Sequence, residues 1–283
     1  MKISSTINLH YYPENNPSGY VREALAFMKD TGFEAADFSM KTIRDLGDKY
    51  QDVIEDAIAA QEEFGIEFKV CHLPFDVKVA IAKERVSAFD SAMLHAIDAA
   101  ALLKTDYAVL HPNTWNLPLE DFNRDEQYDS VTKHLEPFVE HAERLGVKLA
   151  IENMRLAPSK IEAHRYCQEP DELCDIADTF GIGVCWDFGH ANTVGIKQSE
   201  ALSFIGKRLK VIHINDNNAI DDDHVPPFCG TVDWRDAMKG LKLSGYAGPF
   251  NYEINTSRIP QALRKAFAGY LVECAKELLS YTE

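Results

Sequence analysis

The 283-residue sequence predicts an α/β chain, a closed (β/α)8 barrel that forms a single domain over residues 1–283. Three observations predict it. Short apolar runs alternate with helical patterns along the chain, which implies parallel pairing through helical crossovers. The runs are apolar almost throughout, as strands covered on both faces should be. Helical patterns also stop at Gly32, Gly65, Gly146 and Gly181 just before a strand, and glycine ends a helix readily in the left-handed conformation. A doubly wound open sheet is the alternative. Neither G-x-G-x-x-G after the first run nor G-x-x-x-x-G-K-[ST] is present, so both common nucleotide fingerprints are missing.

The elements follow in order. The first run, 3–9 (ISSTINL), leads to a helical pattern over 19–32, and the second, 34–39 (EAADFS), to one over 52–65. The third, 67–73 (EFKVCHL), precedes the long pattern 85–104. The fourth, 107–112 (YAVLHP), precedes 131–146, and the fifth, 148–153 (KLAIEN), precedes 170–181. Three more runs follow at 183–188 (GVCWDF), 210–216 (KVIHIND) and 250–255 (FNYEIN). A final helix spans 260–279, and its Leu263, Phe267, Tyr270 and Leu271 at helical spacing read as barrel packing rather than a dimer face.

Composition bounds the function. Hydrophobic residues make up 46% and charged residues 26%, as in ordinary soluble domains. No apolar run approaches the roughly 20 residues of a membrane span, and the N-terminus lacks the apolar core of a signal peptide. A cytoplasmic protein without a membrane partner is expected. Twenty-nine basic against 45 acidic residues give a net charge of −16, which repels phosphate backbones and makes nucleic acid a poor partner. The six cysteines form no C-x-x-C pair, and Cys71 and Cys185 sit within apolar runs. Reduced thiols acting as small core residues fit best. Homo-oligomerisation is left open.

The strand ends carry the chemistry. Strand three ends at His72, strand four at His111 followed by Asn113, and strand five at Glu152. Strand six ends at Asp187 with His190 close behind, strand seven at His213 and Asp216, and strand eight at Glu253. One such residue is explained by a strand end turning into solvent. Six consecutive strands point instead to the mouth of a barrel, where residues far apart in sequence converge. Imidazole and carboxylate together are ligands for Zn, Mn, Co or Fe, whereas an all-oxygen Mg or Ca cage uses less histidine. A cation also explains how Glu152, Asp187 and Glu253 tolerate apolar flanks.

The motifs HLP, HPN, IEN, D-x-x-H, H-x-x-D, D-x-H and the final Y-E resemble the xylose isomerase-like TIM barrels, from strand one to strand eight. That superfamily includes sugar isomerases, ketose 3-epimerases, hydroxypyruvate isomerase, an inosose dehydratase and the AP endonucleases typified by endonuclease IV. The resemblance implies a divalent metal (Mn, Zn, Co or Mg), one to three ions in number. The single-metal set of the epimerases falls on Glu152, Asp187, His213 and Glu253. The trinuclear set of the endonucleases adds His72, His111, His190, Asp222 and His224, the last two within DDDHVPPFCGTVDW (221–234). All nine positions hold usable ligands, and spacing alone leaves the metal count open.

Two reactions follow from the resemblance. The first is isomerisation or epimerisation of a small carbohydrate, a sugar phosphate or a hydroxy-keto acid. A metal-stabilised enediolate would form as a proton leaves carbon, with Glu152 and Glu253 as the acid/base pair and His190 orienting a substrate oxygen. Single-metal epimerases also carry an Arg shortly after the strand-seven His; NDNNAIDDD (215–223) has none, which weighs against ketose 3-epimerase activity specifically. The second is AP endonuclease-like phosphodiester hydrolysis by clustered zinc. The ligand count supports it, and the acidic charge opposes it. A non-catalytic metal-binding barrel is a third reading, and it leaves the paired glutamates unexplained.

Smaller signals remain two-sided. The loop 154–170 carries Arg155, Lys160, His164 and Arg165, and reads either as a lid over an anionic substrate group or as a solvated loop. Trp115 and Asn113 read as substrate contacts or as packing, and His10 as a mouth residue or a plain loop residue. His95, His134 and His141 read as structural or surface residues. Strand alternation points Trp186 away from the mouth.

Overall fold

The computed structural model describes residues 1–7, 17–40, 50–76, 87–156, 158 and 161–282. Eight parallel strands form one sheet: β1 (Ile3–Thr6), β2 (Ala35–Ser39), β3 (Glu67–His72), β4 (Tyr107–Leu110), β5 (Leu149–Glu152), β6 (Gly183–Asp187), β7 (Leu209–His213) and β8 (Phe250–Tyr252). Their order is β8-β1-β2-β3-β4-β5-β6-β7. A parallel bridge from Ile214 to Tyr252 joins the two ends of that order. There the Ile214 N–H donates to Asn251 O at 2.8 Å and the Glu253 N–H donates to Ile214 O at 3.2 Å. The sheet thereby rolls into a (β/α)8 TIM barrel, and an open doubly wound sheet is ruled out.

Among the described residues nine α-helices surround it: α1 (Pro17–Thr31), α2 (Tyr50–Phe64), α3 (Ser87–Leu103), α4 (Arg124–Leu145), α5 (Pro170–Phe180), α6 (Phe188–Val194), α7 (Gln198–Ile205), α8 (Trp234–Ser244) and α9 (Arg264–Ser280). Helix α4 starts at Arg124 rather than 131, because Asn123 caps it by accepting from the Asp125 and Glu126 N–H groups. Helices α6, α7 and α8 have no counterpart in the expected pattern. The first two are short, and α8 opens on a charged turn capped by Asp233. No described helix is long and apolar enough to cross a membrane.

Alternation along the strands builds two layers inside the barrel. Val70, Val109, Ala150, Cys185 and Val211 form a small buried apolar cluster separate from the main core. The residues two positions further along the same five strands share that face: His72, His111, Glu152, Asp187 and His213. An apolar floor therefore lies directly beneath the chemistry-bearing residues. The opposite face packs on the helices. Trp186 lies in that outer layer and donates its Nε1–H to Gln198 Oε1 on α7 at 2.7 Å.

All six cysteines are free, and five are buried. Burial pushes the Cys71 and Cys185 thiols far above the usual range, so both stay protonated and inert. The final helix departs from expectation in one respect. Leu271 is buried, but Leu263 and Tyr270 are exposed, because Leu263 falls in the 3-10 turn before α9. Tyr270 instead donates its hydroxyl to Pro227 O at 3.1 Å.

Candidate metal centre

Glu152 is the hub of the mouth. It ends β5 fully buried, and imidazoles from three other strands close on its two oxygens. His72 Nε2 and His111 Nε2 each lie 3.1 Å from Oε2, and His213 Nδ1 lies 3.0 Å from Oε1. His213 Nδ1 also lies 3.0 Å from Glu253 Oε2. Candidate ligand atoms of Glu152, Asp187, His213 and Glu253 fall within 4.8 Å of one another. His72, Glu152 and His213 form a second such group, and His190, Asp222 and His224 a third.

Neighbouring amides fix Asp187. Its Oδ1 accepts the His190 N–H at 2.7 Å and so caps α6, while its Oδ2 accepts from Asn215 Nδ2 at 2.7 Å. Asn153 clamps β5 to β6: its side chain donates to Asp187 O at 3.0 Å and accepts the Asp187 N–H at 2.6 Å. The Asn153 carbonyl takes the His190 Nδ1–H at 2.7 Å, which turns Nε2 toward Asp222 at 3.5 Å. His224 Nε2 approaches Asp222 Oδ2 to 3.1 Å.

The charges are strongly coupled to burial. Burial alone would raise Glu152, but the charges of His213 and His111 hold it well below the usual carboxylate range. Burial likewise opposes His213 at Glu253, which ends near 2. At Asp187 burial wins over His190 and His224, and its pKa is raised. Burial pulls His111 down to about 4. At His190 burial is outweighed by Asp187 and Asp222, which lift it to about 9. The donor set fits a divalent ion. Three carboxylate oxygens within 4.8 Å repel one another unless a cation or protons lie between them, and mixed imidazole and carboxylate donors suit zinc, manganese or cobalt.

A family model described as a xylose isomerase-like TIM barrel matches residues 25–273. The chain belongs to this family. An uncharacterized protein of Methanocaldococcus jannaschii is 30% identical, over 71% of this chain and 69% of its own length. Among solved structures, a D-tagatose 3-epimerase-like protein superposes with a TM-score of 0.74 at 21% identity, covering 99% of this chain and 98% of that one. An IOLI protein with a bound zinc atom superposes at 0.74 and 16% identity, covering 100% and 99%. At these identities the superpositions show the fold.

Other expected residues of this xylose isomerase-like barrel take varied places. Asn113 and Trp115 are half-buried on the loop after β4. Arg155 pairs with Asp222 Oδ2 at 2.7 Å. The described stretch 163–166 of the loop 154–170 is pinned: Ala163–His164 pairs antiparallel with Leu117–Pro118, and Tyr166 O accepts from Thr114 Oγ1 at 3.0 Å. His164 serves that loop, with Nε2 2.7 Å from Glu172. His10 and Lys160 lie outside the described residues.

Two contributors, Asp37 and Phe75, escaped the sequence reading, and a third, Arg165, entered it only as one of two readings of the 154–170 loop. Asp37 on β2 is fully buried, takes a hydrogen bond from Asn251 Nδ2 at 2.8 Å, and lies 3.8 Å from His213 Nε2. An acid in the middle of the apolar run EAADFS was its signal. Phe75 stacks on His111 with centroids 4.5 Å apart and planes at 20°. Arg165 lies close enough to Glu152 and Asp222 to feel both charges.

Gly189 is fixed by close approach, since a Cβ there would collide with Asn215, the amide that holds Asp187. Gly189→Ala is expected to destabilise by roughly 1–3 kcal/mol, as overpacking does, and to lower metal content. Thermal melting and elemental analysis check both, and a variant that melts and loads like the parent would contradict the account.

Proposed function

We propose that this protein is a divalent-metal-dependent isomerase or epimerase of a small carbohydrate, moving a proton at a carbon beside a carbonyl. The observation that carries the reading is the approach of Glu152 and Glu253 to one His213 nitrogen, at 3.0 Å each, at the barrel mouth. Glu152, Asp187, His213 and Glu253 would hold the ion. Bound there, it would supply Lewis-acid polarisation of the substrate carbonyl. The D-tagatose 3-epimerase-like and zinc-bound neighbours support the substrate class and the ion. Six free thiols and the lack of a membrane-crossing helix among the described residues fit a reduced cytoplasmic setting.

The chain's own groups divide the proton work. Glu253 is 27% exposed and ionised beside His213, so it can accept a proton from a substrate carbon. Glu152, itself held ionised among three imidazoles, is the second carboxylate, and the proton it returns would be drawn from His72, where burial is outweighed by Glu152 and the pKa is raised. His190, with its Nδ1 fixed, presents Nε2 to a substrate oxygen. Phe75, about half exposed, offers a flat apolar face for the C–H side of a sugar.

The test is solvent deuterium exchange into a panel of ketoses and aldoses. Incorporation is expected, abolished by chelation and restored by Mn, Co or Zn. A phosphodiester hydrolase is the second reading, favoured by the separate His190, Asp222 and His224 group. The net charge of −16 weighs against it. Cleavage of abasic-site DNA with no exchange into any sugar would reverse the order.

A further inference from the structure

We propose that the substrate carries an anionic group, a carboxylate or a phosphate, and that Arg165 and Arg155 receive it. The inference rests on the sugar-isomerase reading and narrows its substrate class.

Arg165 is a half-buried cation in need of a partner. Its Nε is fully buried and makes no hydrogen bond, and among the described residues nothing accepts from or ion-pairs with its guanidinium. Its backbone is fixed: the Arg165 N–H donates to Gln168 Oε1 at 3.0 Å, and the Cys167 N–H donates to Glu172 Oε2 at 2.9 Å. The buried Nε leaves an unpaired charge desolvated, which is costly, and the mouth residues Asp222 and Glu152 are among the charges that act on it.

Two acids act on Arg165 electrostatically, Asp222 and Glu152, and both already have partners. Asp222 Oδ2 is taken by Arg155 at 2.7 Å and by His224 at 3.1 Å. Glu152 is held by His72, His111 and His213. Arg155 repels Arg165 from the other side, and burial with that repulsion lowers Arg165 only to about 10, so it stays charged at neutral pH. Arg155 itself is 40% exposed and has donors to spare beyond Nη1. Of the two guanidinium groups, only Arg155 is paired with Asp222, and Arg165 is left without a partner of its own among the described residues. Their planar forks match the oxygens of a carboxylate or phosphate, whereas a neutral hydroxyl makes no use of the surplus charge. In a chain of net charge −16, these two cations would favour the approach of an anion.

The test is calorimetric binding to the metal-loaded protein of three probes: D-fructose, D-fructose 6-phosphate and 2-keto-D-gluconate. One charged probe is expected to bind roughly 10–100-fold more tightly than the neutral sugar, as charge-assisted hydrogen bonds allow; which one tells phosphate from carboxylate. Arg165→Gln is expected to remove most of that preference, and Arg155→Gln part of it. Should Arg165→Gln fail to fold, Arg165→Lys keeps the charge without the fork and is expected to lose most of the preference. Equal binding of all three probes, or a preference that survives the Arg165 and Arg155 changes, overturns the proposal. Deuterium exchange reads the parent function separately. Exchange into neutral sugars without charge preference removes only the anion pocket, and charge preference without exchange removes only the isomerase.

Discussion

Glu152→Gln is expected to cost the protein its ion and its proton transfer together. The amide keeps the shape but replaces one acceptor oxygen with a donor, where His72, His111 and His213 all converge on a shared negative charge. Deuterium exchange should fall by roughly 10²–10⁴-fold, the usual range for losing a positioned acid or base. Metal content should fall with it, since Glu152 belongs to two of the three donor groups. Glu253→Gln separates the effects. Its side chain is 27% exposed, so exchange should drop while folding is largely kept. Elemental analysis, exchange and melting on both variants decide the matter. A Glu152→Gln protein that holds its full complement of metal and exchanges like the parent would refute the central role of this carboxylate.

Asp216→Ala is expected to give the largest loss of stability. The Asp216 carboxylate is fully buried and accepts four hydrogen bonds. The Asn217 and Val232 N–H groups reach Oδ1 at 2.9 and 3.0 Å. The Phe228 N–H and Trp234 Nε1–H reach Oδ2 at 3.1 and 3.0 Å. Removing the acceptor strands four donors in a dry interior, which typically costs about 3–5 kcal/mol. The same loop carries Asp222 and His224, so their donor group should loosen as well. Melting temperature and metal stoichiometry measure the two effects, and an unshifted melt would show that another group holds the loop. Asp216 thus stands at a strand end beside the expected ligands but serves the backbone of the loop.

The barrel was legible because its signal is periodic. Each expected strand has an observed counterpart, although several overrun at the carboxyl end: 210–216 becomes Leu209–His213. The reason is physical, since His111 and Glu253 leave the sheet just past its last paired residue to turn into the mouth. Residues at strand ends were likewise legible, because the fold gathers them whatever the loops do. Asp37 and Phe75 were not, and Arg165 was legible only as one of two readings of its loop. Asp37 acquires meaning only when the barrel brings Asn251 on β8 within reach of β2 across β1, and Arg165 only when its loop is pinned against the β4 connection. Such meanings depend on contacts between distant segments, which no local pattern records. Arg155 illustrates the same limit: no local pattern records that its guanidinium also pairs with Asp222, 67 residues away.

The layer of Val70, Val109, Ala150, Cys185 and Val211 makes the cavity a cup rather than a tunnel. On the proposed function, reactant and product would both enter and leave over the one rim. Each can hold the other out, and the direction of net flow is then set by their relative abundance outside.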